Sequence, residues 1–90
     1  MDIDFDPEKD RKNREKHGIS LVRALDMDLR HGFVEMDPRH YGREIRFRAY
    51  GMLDERLYVM IYTYRDQKVR VISLRKANRR EVRKNDEKGT

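Results

Sequence analysis

Ninety residues, 43% of them charged and 37% hydrophobic, allow one modest core and leave most of the surface ionised. With no cysteine, disulfide frameworks, zinc–thiolate sites and thiol nucleophiles are excluded, and no apolar run approaches the ~20 residues of a membrane span. The formal net charge of +5 is unevenly spread: Arg65 to Lys84 carries +7 and the rest of the chain −2, a concentration that points to a polyanionic partner.

The chain reads as one domain, 1–90, with no internal repeat. Its acidic start, Met1-Asp2-Ile3-Asp4, is unlike a secretory signal, and the expected location is cytoplasmic. Asp6-Pro7-Glu8 predicts a helix start, with Asp6 as the cap and Pro7 at the first helical position. The helix runs to Lys16 or His17 and stops at Gly18. From Glu8 to His17 it has no apolar residue, so Phe5 and Ile19 are its expected anchors. Asn13 and His17 share one face and are read first as hydrogen-bonding to the body of the fold.

Ser20 caps a second predicted helix, amphipathic through Val22, Leu25 and Leu29, ending at Gly32. Phe33–Asp37 reads as a strand, Pro38–Arg43 as a polar loop, and Glu44–Met52 as a strand of clean alternation. In that strand Ile45, Phe47 and Ala49 point one way, and Glu44, Arg46, Arg48 and Tyr50 the other. Two further strands follow, Arg56–Tyr64 and Lys68–Leu74, then a strongly cationic helix over Lys76–Glu87. The order is ααββββα, an α+β fold with two N-terminal helices, a four-stranded antiparallel sheet and a C-terminal helix. The helices are expected to cover one sheet face and leave Arg46 and Arg48 on the other.

No glycine-rich nucleotide loop, nucleophile elbow or H-E-x-x-H is present, and His17, His31 and His40 lack a metal-ligand spacing, so no metal or other cofactor is expected. Arginines, a few tyrosines and an acid on a small sheet can still cut RNA. The 2′-hydroxyl is a built-in nucleophile, and an enzyme need only position it, move two protons and stabilise the phosphorane. Guanidinium forks suit that charge. Glu44, Tyr62, Tyr64 and His17 are the proton-handling candidates, and Tyr62 or Tyr64 could stack on a base. The same inventory also suits a non-catalytic nucleic-acid-binding regulator or a protein-interaction module.

Several stretches, in order and over nearly the whole chain, resemble the BrnT family of type II toxin–antitoxin toxins. They are Phe5-Asp6-Pro7, Asn13, Lys16-His17-Gly18-Ile19-Ser20, Glu44-Ile45-Arg46-Phe47, Val59-Met60-Ile61-Tyr62-Thr63, and Arg70-Val71-Ile72-Ser73-Leu74-Arg75-Lys76-Ala77-Asn78-Arg79-Arg80-Glu81. The chain departs from the family at Tyr64, where an acid is common, and in lacking small apolar residues before Lys16-His17-Gly18. The resemblance implies a RelE-like fold and a metal-independent endoribonuclease that arrests translation. It also implies a BrnA-like ribbon-helix-helix antitoxin, and operator DNA bound only through the toxin–antitoxin complex. Carried over by motif, Arg46 and Arg65 are phosphate contacts supported by Arg75 and Arg79, and Glu44 and His17 are proton-transfer residues. Arg48, Arg70, Arg80, Arg83 and Lys84, with Tyr62 and Tyr64, complete the expected RNA-binding set; Arg80, Arg83 and Lys84 serve equally as antitoxin contacts.

Overall fold

A computed structural model describes residues 2–39, 42 and 44–88. Five strands are found among them: β1 (Ile3–Asp4), β2 (Val34–Met36), β3 (Phe47–Leu53), β4 (Arg56–Arg65) and β5 (Lys68–Lys76). They form one sheet in the order β1-β5-β4-β3-β2. Two α-helices, α1 (Pro7–His17) and α2 (Arg79–Lys88), and a 3₁₀ helix over Leu21–Asp26 complete the chain. His40, Tyr41 and Arg43, in the predicted loop over Pro38–Arg43, lie outside the described residues.

β3, β4 and β5 form the expected meander. Each hairpin turns on two residues with positive φ, Asp54 and Glu55 (51° and 63°) and Asp66 and Gln67 (53° and 65°), whose twist matches that of the flanking strands. The sheet is nevertheless five-stranded and mixed, not four-stranded and antiparallel. β1 pairs in parallel with β5, Ile3 opposite Val69 and Asp4 opposite Arg70. Two residues carry too little periodicity to announce a strand; only the exposed edge of β5 makes them one.

α1 follows its capping signals. The Asp6 carboxylate accepts from the Glu8 amide at 2.9 Å, and Gly18 adopts φ 71° while its N–H closes on the Arg14 carbonyl. Lacking an apolar stripe, α1 docks through Asn13. That buried amide donates to the Ile19 carbonyl (2.9 Å) and the Leu74 carbonyl (2.8 Å), and accepts from the Leu74 amide (3.1 Å).

The second predicted α-helix is a 3₁₀ helix. Ser20 caps it as expected, but the buried side chains are Leu21, Ala24 and Met27, three apart, which is the eclipsed spacing of a 3₁₀ turn. Val22, Leu25 and Leu29, the predicted apolar face, are 45%, 50% and 37% exposed. Gly32 does not end a helix; a Cβ there would stand 1.6 Å from the Tyr50 carbonyl oxygen, so the chain passes β3 only as glycine.

The helices also divide between the two faces of the sheet. α1 and the 3₁₀ helix cover one, against Ala49, Leu53, Tyr58, Met60, Tyr62, Val71 and Leu74. The other carries a smaller cluster of Tyr50, Leu57, Val59, Ile61 and Ala77 with Phe33 and Ile72. α2 lies on this second face, tied down by Glu81 to Arg75 and by Lys84 to Glu35. The helix begins at Arg79, not Lys76, because β5 runs two residues further than its apolar pattern and Asn78 then caps.

β5 contains a bulge. Tyr62 faces Val71 but Ile61 faces Ser73, so Ile72 is an extra residue and the alternation shifts phase there. Val71 and Leu74 consequently share the α1 face, while Ser73 and Arg75 turn to the other.

Candidate active site

The second face of the sheet holds a two-lobed cationic cleft. One lobe, about 280 Å³, is lined by Lys16, His17, Asp37, Arg39, Arg46, Ile61, Ile72, Ser73 and Arg75. The other, about 370 Å³, is lined by Arg39, Arg48, Tyr50, Arg75, Asn78, Arg80, Glu81 and Lys84. Arg39 and Arg75 belong to both, so the lobes are one continuous surface. Seven lysines and arginines line it with two carboxylates, Asp37 and Glu81, and Glu35 and Glu44 reach in from outside, so the lining keeps an excess of positive charge although five of the seven cations have a carboxylate partner.

Local structure positions each group. The β5 bulge brings Ser73 and Arg75 to this face, and the β3 alternation supplies Arg48 and Tyr50. The last turn of α1 presents Lys16 and His17. Asp37 is 3% exposed; its carboxylate accepts from the Arg39 amide at 3.1 Å, an Asx turn that folds Arg39 back over the cleft.

Carboxylates hold the cations in place. Arg75 makes a two-pronged bond to Glu81, 2.8 and 3.0 Å, which raises the guanidinium's affinity for its proton. Glu81 also accepts from the Asn78 amide while the Asn78 side chain accepts from the Glu81 amide, a reciprocal cap that fixes the start of α2. Burial works to raise the Glu81 carboxyl, and Arg75 and the Asn78 amide outweigh it, leaving it below the usual range. Glu35 on β2 gathers Arg48 (2.8 Å), Tyr50 (2.9 Å) and Lys84 (2.5 Å). Its carboxyl too ends below the usual range, the gain from Lys84 and Tyr50 exceeding the cost of burial. Burial and the bond to Glu35 push the Tyr50 hydroxyl well above its ordinary value. Arg48 keeps its Nε donor buried and unpartnered among the described residues.

His17 differs from the rest. Burial, then the positive charges of Lys16 and Arg75, lower its pKa below the ordinary 6.5. At neutral pH it is an uncharged imidazole among cations, able to accept a proton.

Of the expected residues, His17, Arg46, Arg48, Arg75, Arg80 and Lys84 all line the cleft. Glu44 stands at its margin, bridging Arg46 and Arg65 with 3.1 Å bonds to each. Its carboxyl is held low by Arg46 first and Arg65 second. Arg65, half exposed at the end of β4, therefore reaches the cleft only through Glu44. Arg70 pairs with Asp4 of β1. Arg79 and Arg83 are exposed on α2 and line neither lobe. Tyr62, 6% exposed, lies in the core on the α1 face, where burial pushes its hydroxyl to about 12. Tyr64, 62% exposed, packs edge-on against Tyr62 and Phe47. Both tyrosines alternate to the face opposite the arginines. Lys16, Asp37, Arg39 and Ser73 were not expected at the site. Among the described residues no group of three His, Asp or Glu side chains is placed to hold a metal ion.

A small α+β protein with its cations gathered on one sheet face, round a neutral imidazole, is by class a nucleic-acid-handling protein. Residues 5–81 match the family described as ribonuclease toxin, BrnT, of type II toxin-antitoxin system, and the chain belongs to that family. Membership makes RNA its substrate class and a protein antitoxin its partner. No curated protein matches the chain. No helix among the described residues is long and apolar enough to cross a membrane.

Proposed function

We propose that the chain cuts RNA by metal-independent attack of a 2′-hydroxyl, with the scissile phosphate in the lobe formed by His17, Arg46, Ser73 and Arg75. The supporting observation is that a neutral His17 and the anchored Arg75 guanidinium line the same lobe. His17 takes the proton from O2′ as O2′ bonds to phosphorus. The bond from phosphorus to O5′ breaks, and the leaving oxygen takes up a proton from solvent in the open cleft. Arg75 and Arg46 face the charge that builds on the non-bridging oxygens. The products are a 2′,3′-cyclic phosphate and a 5′-hydroxyl. Glu44 acts by orienting Arg46, and Arg65 by orienting Glu44.

The same reading has the chain arrest translation in the cytoplasm until a BrnA-like ribbon-helix-helix antitoxin covers it, with operator DNA bound only through that antitoxin. The test is incubation of purified protein with single-stranded RNA in excess EDTA, with analysis of the product ends. Cyclic phosphate and 5′-hydroxyl ends, lost in Arg75→Ala, are expected; intact RNA, or cleavage only after a divalent ion is added, refutes the mechanism. Co-expression with the adjacent gene should restore growth, and continued arrest would remove that gene as the antitoxin.

A further inference from the structure

The cleft is larger than one phosphate needs. Beyond Arg75, the second lobe has no proton-accepting group comparable to His17, yet it is rich in cations: Arg48, Arg80 and Lys84 line it with Arg39 and Arg75. The first turn of α2 lines it too, through Asn78, Arg80 and Glu81, so the positive end of that helix faces the same space. Two carboxylates oppose them. Glu81 is engaged by Arg75, and Glu35 by Lys84 and Arg48. Arg80 is exposed and makes no ion pair among the described residues, so its donors remain after those pairings.

We infer that this second lobe is a binding subsite for the phosphate next to the one that is cut, and that the substrate strand is single-stranded where it crosses the cleft. The inference rests on the proposed cleavage site in the first lobe. Arg75 and Arg39, common to both lobes, stand where two successive phosphates of one strand come closest. Lobes of about 280 and 370 Å³ sit at the small end of ligand pockets and each admit one unit of a chain. A duplex is instead bound across a broad surface through its minor grooves. In-line attack by O2′ also requires a backbone freed from helical geometry. The second lobe therefore contributes affinity and register but no proton transfer.

Binding of 2′-deoxy oligonucleotides, which cannot attack themselves, tests the subsite without depending on cleavage. Thymidine oligomers with one, two and three phosphates would compete against a fluorescent single strand in low salt. The second phosphate should tighten binding about tenfold, as expected when extra counterions are displaced, and the third by no more than a statistical factor of about two. Arg80→Ala and, separately, Lys84→Gln should flatten the step at the second phosphate, with circular dichroism confirming the fold. A smooth gain with every phosphate, a step that survives both substitutions, or equal affinity for a duplex of the same length overturns the inference. A chain that shows the step but cuts no RNA defeats the cleavage mechanism and leaves the subsite standing; cut RNA without the step does the reverse.

Discussion

Replacing Asn13 should be the most costly single change on α1, although Asn13 lines neither lobe of the cleft. Asn13→Ala strips partners from three buried backbone groups, the Ile19 and Leu74 carbonyls and the Leu74 amide. Each unsatisfied group costs about 1–3 kcal/mol, and water entering at the helix end relieves part of that. The better helix propensity of alanine returns only about half a kcal/mol. A net loss of about 3 kcal/mol follows, against a total of about 5–13 kcal/mol for a chain of this length. Urea unfolding followed by circular dichroism should show the midpoint falling by about 2–3 M, for a slope near 1 kcal/mol/M. Asn13→Asp sharpens the test. Its carboxylate would face two carbonyl oxygens, so folding raises that carboxyl's pKa above its unfolded value near 3.9. The penalty is present above the folded pKa and relieved as pH falls through it. Asn13→Asp should therefore gain stability between pH 7 and 4. The natural chain should not, because Glu35, Glu44 and Glu81 are all lowered on folding. A midpoint shift below about 1 M for Asn13→Ala, at that same slope, would show that the amide is not what docks α1.

Three further outcomes follow from the cleft. Arg75→Ala should lower the cleavage rate about 10²–10³-fold, as loss of one transition-state donor does, and Arg65→Ala far less; equal losses in a single-turnover assay would move the site away from the shared wall of the two lobes. Glu81→Gln keeps an acceptor for the Asn78 amide but discharges the fork to Arg75, so melting should fall by several degrees for a loss of about 1 kcal/mol. Because folding lowers the Glu81 pKa, that contribution is complete above 4.5 and lost as pH falls through the folded value, so the two proteins' melting curves should converge in acid; a constant gap would contradict the pairing. The acid limb of kcat/KM should lie below pH 6.5, since His17 works unprotonated and its pKa is depressed, and His17→Gln should abolish that limb along with most activity. An unchanged limb would take the imidazole out of the mechanism.

Much of this was legible in the sequence because it depends on local rules. Asp6-Pro7 and Gly18 bracket α1 within a residue, and the period of two through Phe47–Tyr50 puts Arg48 and Tyr50 together on the face that holds the cleft. The capping box of Asn78 and Glu81, visible as N-x-x-E, could have moved the start of α2 and marked Glu81 as structural. What was hidden depends on partners distant in the chain. β1 exists only because β5 has a free edge. The side of the sheet that α2 takes is set by Glu81 and Lys84 finding Arg75 and Glu35, and no pattern within the helix announces it. Tyr62 and Tyr64 are base-stacking candidates as tyrosines on an arginine-bearing sheet, yet alternation sends them to the face opposite Arg46 and Arg48.

Ile72 has a consequence that charge counting misses. Straighten the strand there, with Ile72 taking the ladder place opposite Ile61, and the chain keeps its net charge, its basic segment and its helix signals, but the far half of β5 changes sides. Leu74 would then face the cleft, and Ser73 and Arg75 would lie beneath α1. A guanidinium would be driven into an apolar layer and the fork to Glu81 would have no partner. The cleft thus hangs on a parity: whether one strand sets a residue out of the ladder decides if the cation shared by both lobes lines the cleft or meets the core.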